Sequence, residues 1–147
     1  MPLHLSVRAL GIVGLGGTVG TAARYYLSES VHPSGSWPTA TFVINVAGAF
    51  VLGVLLEELA RRGPDLGGRR RLRLLGGTGF CGAFTTYSAL AVDTDRLVRG
   101  NHPGLAVGYA LGTVIIGLAA SALGIWLAAR HVRHLEDPAV TSGQAPT

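Results

Sequence analysis

The sequence predicts an all-α membrane protein of four transmembrane helices, the third of them broken at mid-membrane. Three observations carry this. Of the 147 residues, 48% are hydrophobic and only 14% charged, whereas a soluble domain carries about 25% charge. The apolar residues gather into four blocks, each near or beyond the ~20 residues that cross about 30 Å of hydrocarbon. The 12 basic residues, all arginine, lie between the blocks rather than along one face, as membrane flanks do. Mean hydropathy is +0.42. Strong period-2 alternation is absent, which favours helices over a barrel.

The first block predicts a helix over 3–27. Arg8 and Arg24 bracket its uncharged core, 9–23, and their long stems let both charges snorkel to the interfaces. A weak basic start and a glycine-rich centre make it a poor secretory signal. The second block, 38–56, predicts a helix over 37–59, with Trp37 at the interface where an aromatic belongs. The third, 74–92, lies in a helix predicted over 72–97. It is interrupted by Gly76, Gly77, Gly79 and Gly82. The fourth, 104–129, predicts a helix over 104–130, with Trp126 near its exit. Residues 1–135 thus form one transmembrane domain, and the polar, proline-containing stretch 136–147 reads as a disordered tail.

Polar groups inside hydrocarbon are costly unless paired or facing water, so each is informative. Asn45 sits mid-block and serves either as an interhelical hydrogen-bond donor or as an amide in a pore. The run Gly79-Phe80-Cys81-Gly82-Ala83-Phe84-Thr85-Thr86-Tyr87-Ser88 puts glycines and hydroxyls at mid-depth. Gly and Thr form helix poorly and favour a local break. Freed carbonyls suit a hard cation, and helix N-termini attract anions; tight packing of small residues is the competing explanation. Tyr109, Thr113 and Ser121 put a hydroxyl stripe on the fourth helix, with Gly117 in the row. Their hydroxyls either line a path or bond their own backbone. Gly104, Gly108 and Gly112 form a neighbouring ridge suited to tight helix contact.

Composition also excludes function classes. The single cysteine, Cys81, rules out an internal disulfide and any CxxC metal site. A net charge of +4 and a pI near 10.0 do not mark a nucleic-acid binder, because the arginines form no continuous face. Gly16-Gly17-Thr18-Val19-Gly20 lacks the strand and βαβ unit of a dinucleotide loop. His131 and His134 read as solvated rather than as metal ligands. Glu57, Glu58, Asp93 and Asp95 fall at block ends, and no acid lies inside a block. Proton-coupled or drug-cation transport wants an intramembrane carboxylate. A small multidrug-type antiporter, the alternative four-helix reading, needs one in the first helix, which has none. Neutral donors plus Arg24, the one charge placed to reach a pore, describe an anion path.

At these residues the sequence resembles the Fluc (CrcB) family of small fluoride channels. Gly16-Gly17-Thr18-Val19-Gly20-Thr21-Ala22-Ala23-Arg24-Tyr25 is similar to that family's GGxxGAxxRY. Thr41-Phe42-Val43-Ile44-Asn45-Val46-Ala47-Gly48-Ala49-Phe50 is similar to its TxxVNxxGxF, and the third-helix run above to its GFCGGxTTFS. The resemblance implies a non-enzymatic channel in the plasma membrane that exports fluoride passively. It implies an antiparallel dimer with two narrow pathways and a structural Na⁺ held by the carbonyls of Gly82 and Thr85 of both subunits. The implied pathway residues are Arg24, Asn45, Tyr87, Ser88, Tyr109, Thr113 and Ser121.

Two departures stand out. The family places two phenylalanines three apart on the third helix; here the positions hold Tyr87 and Leu90, with Ala89 between them for a threonine. The arginines are also lopsided. Arg8, Arg61, Arg62, Arg69, Arg70, Arg71, Arg73, Arg130 and Arg133 fall on the side of the termini, against Arg24, Arg96 and Arg99 on the other. Nine against three predicts one orientation, with both termini cytoplasmic. An antiparallel dimer then calls for an oppositely biased, non-identical companion, an arrangement that the resemblance also covers.

Overall fold

The computed structural model describes residues 6–31 and 35–135, with side chains as far as residue 131. The expected disordered tail, 136–147, lies outside the described residues, as do residues 1–5 at the start of the first predicted helix. Helix α1 spans Val7–Ser30, α2 Thr39–Arg61 and α6 Pro103–Leu135. The third span is composite: α3 (Gly67–Leu72), a π-helical segment π1 (Arg73–Cys81), the single turn α4 (Gly82–Phe84) and α5 (Tyr87–Arg99). No strand forms among the described residues. Thr39–Arg61 and Pro103–His131, with mean hydropathies of 2.1 and 2.0, are long and apolar enough to cross a membrane. Helix α1 is also long enough, at 24 residues, but its glycines, threonines and arginines leave it less apolar.

The helix ends fall into two groups. The start of α1 meets α3 around a cavity lined by Arg8, Gly67 and Arg70. The end of α1, the start of α2 and the middle of α5 meet around another, lined by Ser28, Thr41 and Asp93. The four helical segments therefore alternate in direction. The apolar side chains follow a membrane logic: Leu10, Leu15, Val19, Leu111, Ile115 and Leu118 are each more than half exposed. Water would not favour such a surface.

Glycine sets how closely the backbones approach. A Cβ at Gly16 would strike the Leu75 carbonyl, and one at Gly20 the Phe80 carbonyl. Across the same seam a Cβ at Gly79 would lie 2.7 Å from the Val13 carbonyl. This seam joins α1 to π1. A second seam joins α2 to α6: a Cβ at Gly53 would strike the Ser121 carbonyl, and one at Gly124 would lie 2.5 Å from the Phe50 carbonyl. The expected ridge of Gly104, Gly108 and Gly112 makes no tight helix contact within the subunit, since a Cβ at any of the three meets nothing within 4 Å. The buried row of α6 instead runs through Ala106, Tyr109, Thr113, Gly117 and, two turns on, Gly124, steps of three, four and seven that keep to one helix face. The ridge sits off that face. Trp37, expected at an interface, stacks edge-on against Tyr109 at 5.3 Å and Phe42 at 5.8 Å.

Candidate functional site at the break

The third span breaks where the glycine- and threonine-rich run predicts. Thr85 (φ −75°, ψ 157°) and Thr86 (φ −149°, ψ 113°) are extended, the conformation that β-branched residues favour. The break is closed by side chains. Asn45 Oδ1 accepts from the Thr86 N–H at 2.8 Å, and Asn45 Nδ2 donates to the Thr86 carbonyl at 3.1 Å. Thr86 then caps α5, its hydroxyl oxygen accepting from the Ala89 N–H at 3.1 Å. Gly48 makes room, since a Cβ there would strike the Thr85 methyl.

These bonds have a consequence for the carbonyls. In a continuous helix the Thr86 N–H would bond the Gly82 carbonyl, and the Ala89 N–H the Thr85 carbonyl. Both amides are committed to side chains instead. The Gly82 and Thr85 carbonyls thus lose their helical partners at the break.

The site residues divide between two cavities. Asn45, Tyr87, Thr113 and Ser121 line one of about 390 Å³ between α2, the break and α6. Arg24 and Ser88 line a second, of about 470 Å³, with Thr41, Asp93 and Arg96. Thr86 lines both, and its hydroxyl lies 3.1 Å from that of Ser88. Tyr109 lines neither. It is buried behind them, and its hydroxyl has no hydrogen-bond partner among the described residues; Thr41 and Asp93 lie beside it, out of hydrogen-bonding geometry.

The hydroxyl stripe of α6 is partly turned on itself. Thr113 donates to its own helix, at the Tyr109 carbonyl 2.7 Å away, so as placed it offers the cavity lone pairs. Asn45 retains a donor, because its amide has two N–H bonds and Thr86 takes one. Leu90 lines the first cavity and packs on the buried cluster around Tyr109.

Sequence reasoning missed three residues here. Asp93, expected at the end of its apolar block, has a side chain only 15% exposed, because it lies in the middle of α5, where that helix meets the end of α1 and the start of α2. It accepts from Thr41 at 2.7 Å and pairs with Arg96 at 3.4 Å. Arg24 is therefore not the only charge in its cavity: Arg96 and Asp93 share it. Thr41 lies four residues before Asn45, on the same face of α2, a spacing that was visible in the sequence. Thr86, the third, joins the two cavities.

Residues 11–125, which contain every residue of the two cavities named above, match the family model described as CrcB-like protein, Camphor Resistance (CrcB). The chain belongs to the CrcB family. Among relatives, the fluoride-specific ion channel FluC 2 of Leifsonia xyli subsp. xyli is 53% identical over 128 residues, covering 87% of this chain and 88% of that protein. The fluoride-specific ion channel FluC 1 of Mycolicibacterium paratuberculosis is 40% identical over 129 residues, covering 87% of this chain and 92% of that protein. A FluC of Phenylobacterium zucineum is 39% identical over 126 residues, 84% of this chain and 98% of that protein. CrcB membership thus embraces both glycine seams, the broken span and the two cavities.

Proposed function

We propose that this chain is a subunit of a fluoride-selective channel in the plasma membrane that lowers cytoplasmic fluoride by passive export. One observation carries the reading: Thr86 joins an arginine-containing cavity to a hydroxyl- and amide-lined one. Arg24, which has no ion-pair partner among the described residues, draws the anion to the first. The start of α5 and the second Asn45 N–H favour it beside Thr86, the residue that both cavities share. Fluoride is small and tightly hydrated, so its passage calls for donors that replace water in succession. The relatives' names support fluoride as the ion. The experiment is fluoride efflux from liposomes, read with a fluoride electrode, with chloride as the comparison ion.

The working unit in this reading is an antiparallel dimer. The Asn45 cavity is an open groove, and Tyr87 on its rim is 83% exposed, so a second subunit is needed to close it. The Gly82 and Thr85 carbonyls of both subunits hold a Na⁺ at the centre. Neutral carbonyls with no carboxylate suit a monovalent hard cation better than Ca²⁺. The nine-to-three division of arginines gives the chain one orientation, with both termini cytoplasmic, and its companion is a non-identical chain of opposite bias. The companion also supplies the ring edge that Leu90 lacks.

A further inference from the structure

The basic segment that joins the second and third spans is only partly neutralised by the protein. Arg61 pairs with Glu57, Arg62 with Glu58 and Arg73 with Asp65. Arg69 donates to the carbonyls of Pro64 at 3.0 Å and Arg62 at 2.6 Å. Arg70 and Arg71 have no such partner among the described residues. They turn into a cavity of about 240 Å³ that also receives Arg8, likewise unpaired among the described residues. No acidic residue lines it among the described residues, and its remaining wall includes Ala9, Ile12 and Leu74.

Helix α1 begins at this cavity. Its first turn holds no acid, and Ser6 makes no capping bond with its side chain. The first N–H groups of the helix and the positive end of its dipole therefore add to three guanidinium groups. Like charges converging on one space, at a helix end that repels them, are stabilised by a bound anion.

We propose that this cavity binds the phosphate of an anionic phospholipid headgroup. Guanidinium groups bind phosphate with bidentate geometry. The lipid, rather than free phosphate, is the source because the basic rim stands above an apolar wall at the end of two membrane spans, with Leu10 60% and Leu72 48% exposed beside it. Basic pockets between helices at the membrane surface suit acidic headgroups.

The test uses the purified full chain in detergent and counts retained lipid by native mass spectrometry, a readout that involves no fluoride. Dioleoylphosphatidylglycerol is expected to be retained at least about tenfold over dioleoylphosphatidylcholine. Each of Arg8→Gln, Arg70→Gln and Arg71→Gln lowers that retention about fivefold, and the triple variant on the order of a hundredfold. Arg62→Gln/Arg99→Gln, which removes two ion-paired arginines outside the cavity, changes it less than twofold. Millimolar inorganic phosphate leaves the lipid in place. Should the triple variant misfold, the three single variants decide. Equal retention of the two lipids, or wild-type retention in all three single variants, overturns the site. Displacement of the lipid by inorganic phosphate overturns the lipid assignment.

Discussion

Asn45 and Thr86, 41 residues apart, exchange two hydrogen bonds across the break in the third span. The asparagine side chain stands in for the helix that the Thr86 backbone has left, and so α2 holds the start of α5 in place. The same amide has one N–H left to face the cavity. The two expected uses of Asn45, interhelical bond and pore donor, are therefore compatible in one side chain.

The substitution Asn45→Asp is expected to abolish fluoride passage. It removes the remaining donor and puts a negative charge on an anion path, at a cost of several kcal/mol at low dielectric. Asn45→Ala is expected to lower stability by about 1–2 kcal/mol, the worth of two interhelical bonds in a membrane. Efflux from Asn45→Asp liposomes at the wild-type rate would remove the residue from the pathway.

Replacing Na⁺ with N-methylglucamine should lower the thermal stability of the assembled channel, while EDTA should leave it unchanged. An ion that binds only the folded form stabilises by mass action, about 2.7 kcal/mol at a hundred times its dissociation constant. Identical melting curves in the two cations would count against the Gly82 and Thr85 carbonyls as ligands.

A reporter fused to the C-terminus should give a cytoplasmic signal alone. Fluoride resistance in a channel-deficient host should require a companion chain. Neutralising Arg69, Arg70, Arg71 and Arg73 together reduces the nine arginines of one side to five and should produce mixed orientation. Full resistance from this chain by itself means a dual-topology homodimer.

Gly20→Val and Gly53→Val should each cost about 3 kcal/mol or more, because the added side chain meets a backbone carbonyl that has nowhere to move. Gly108→Ala, with nothing within 4 Å of its Cβ position, should leave the stability of the subunit unchanged or raise it slightly, since alanine is the better helix former. Chemical unfolding in detergent distinguishes the seams from the ridge.

The substitution Asp93→Asn should keep the fold and raise the pull on anions at the Arg24 cavity. It removes the one carboxylate that lines it among the described residues, while an amide oxygen still accepts from Thr41. Half-saturating fluoride in efflux is expected to fall about two- to fivefold relative to wild type, on the scale of a surface charge pair. An unchanged or higher concentration would show that Asp93 does not weaken the pull on anions at that cavity.

The sequence by itself determined that the chain folds into four long helical segments, which of the stretches between them carry the arginines and where the third segment breaks. These follow from quantities that accumulate along the chain: apolar length, charge, and the poor helix propensity of Gly76, Gly77, Gly79 and Thr85. The family was also legible, because its three motifs are local runs. Only the tertiary structure decided which glycines meet a neighbouring backbone. Gly16, Gly20, Gly53 and Gly124 do, while Gly104, Gly108 and Gly112 do not. A small residue permits close approach without naming its partner. The structure likewise drew Asp93 into a cavity, turned the Thr113 hydroxyl onto its own helix and committed Asn45 to Thr86. A hydrogen bond depends on an approach of about 3 Å between groups distant in the chain, and local periodicity carries no record of that distance.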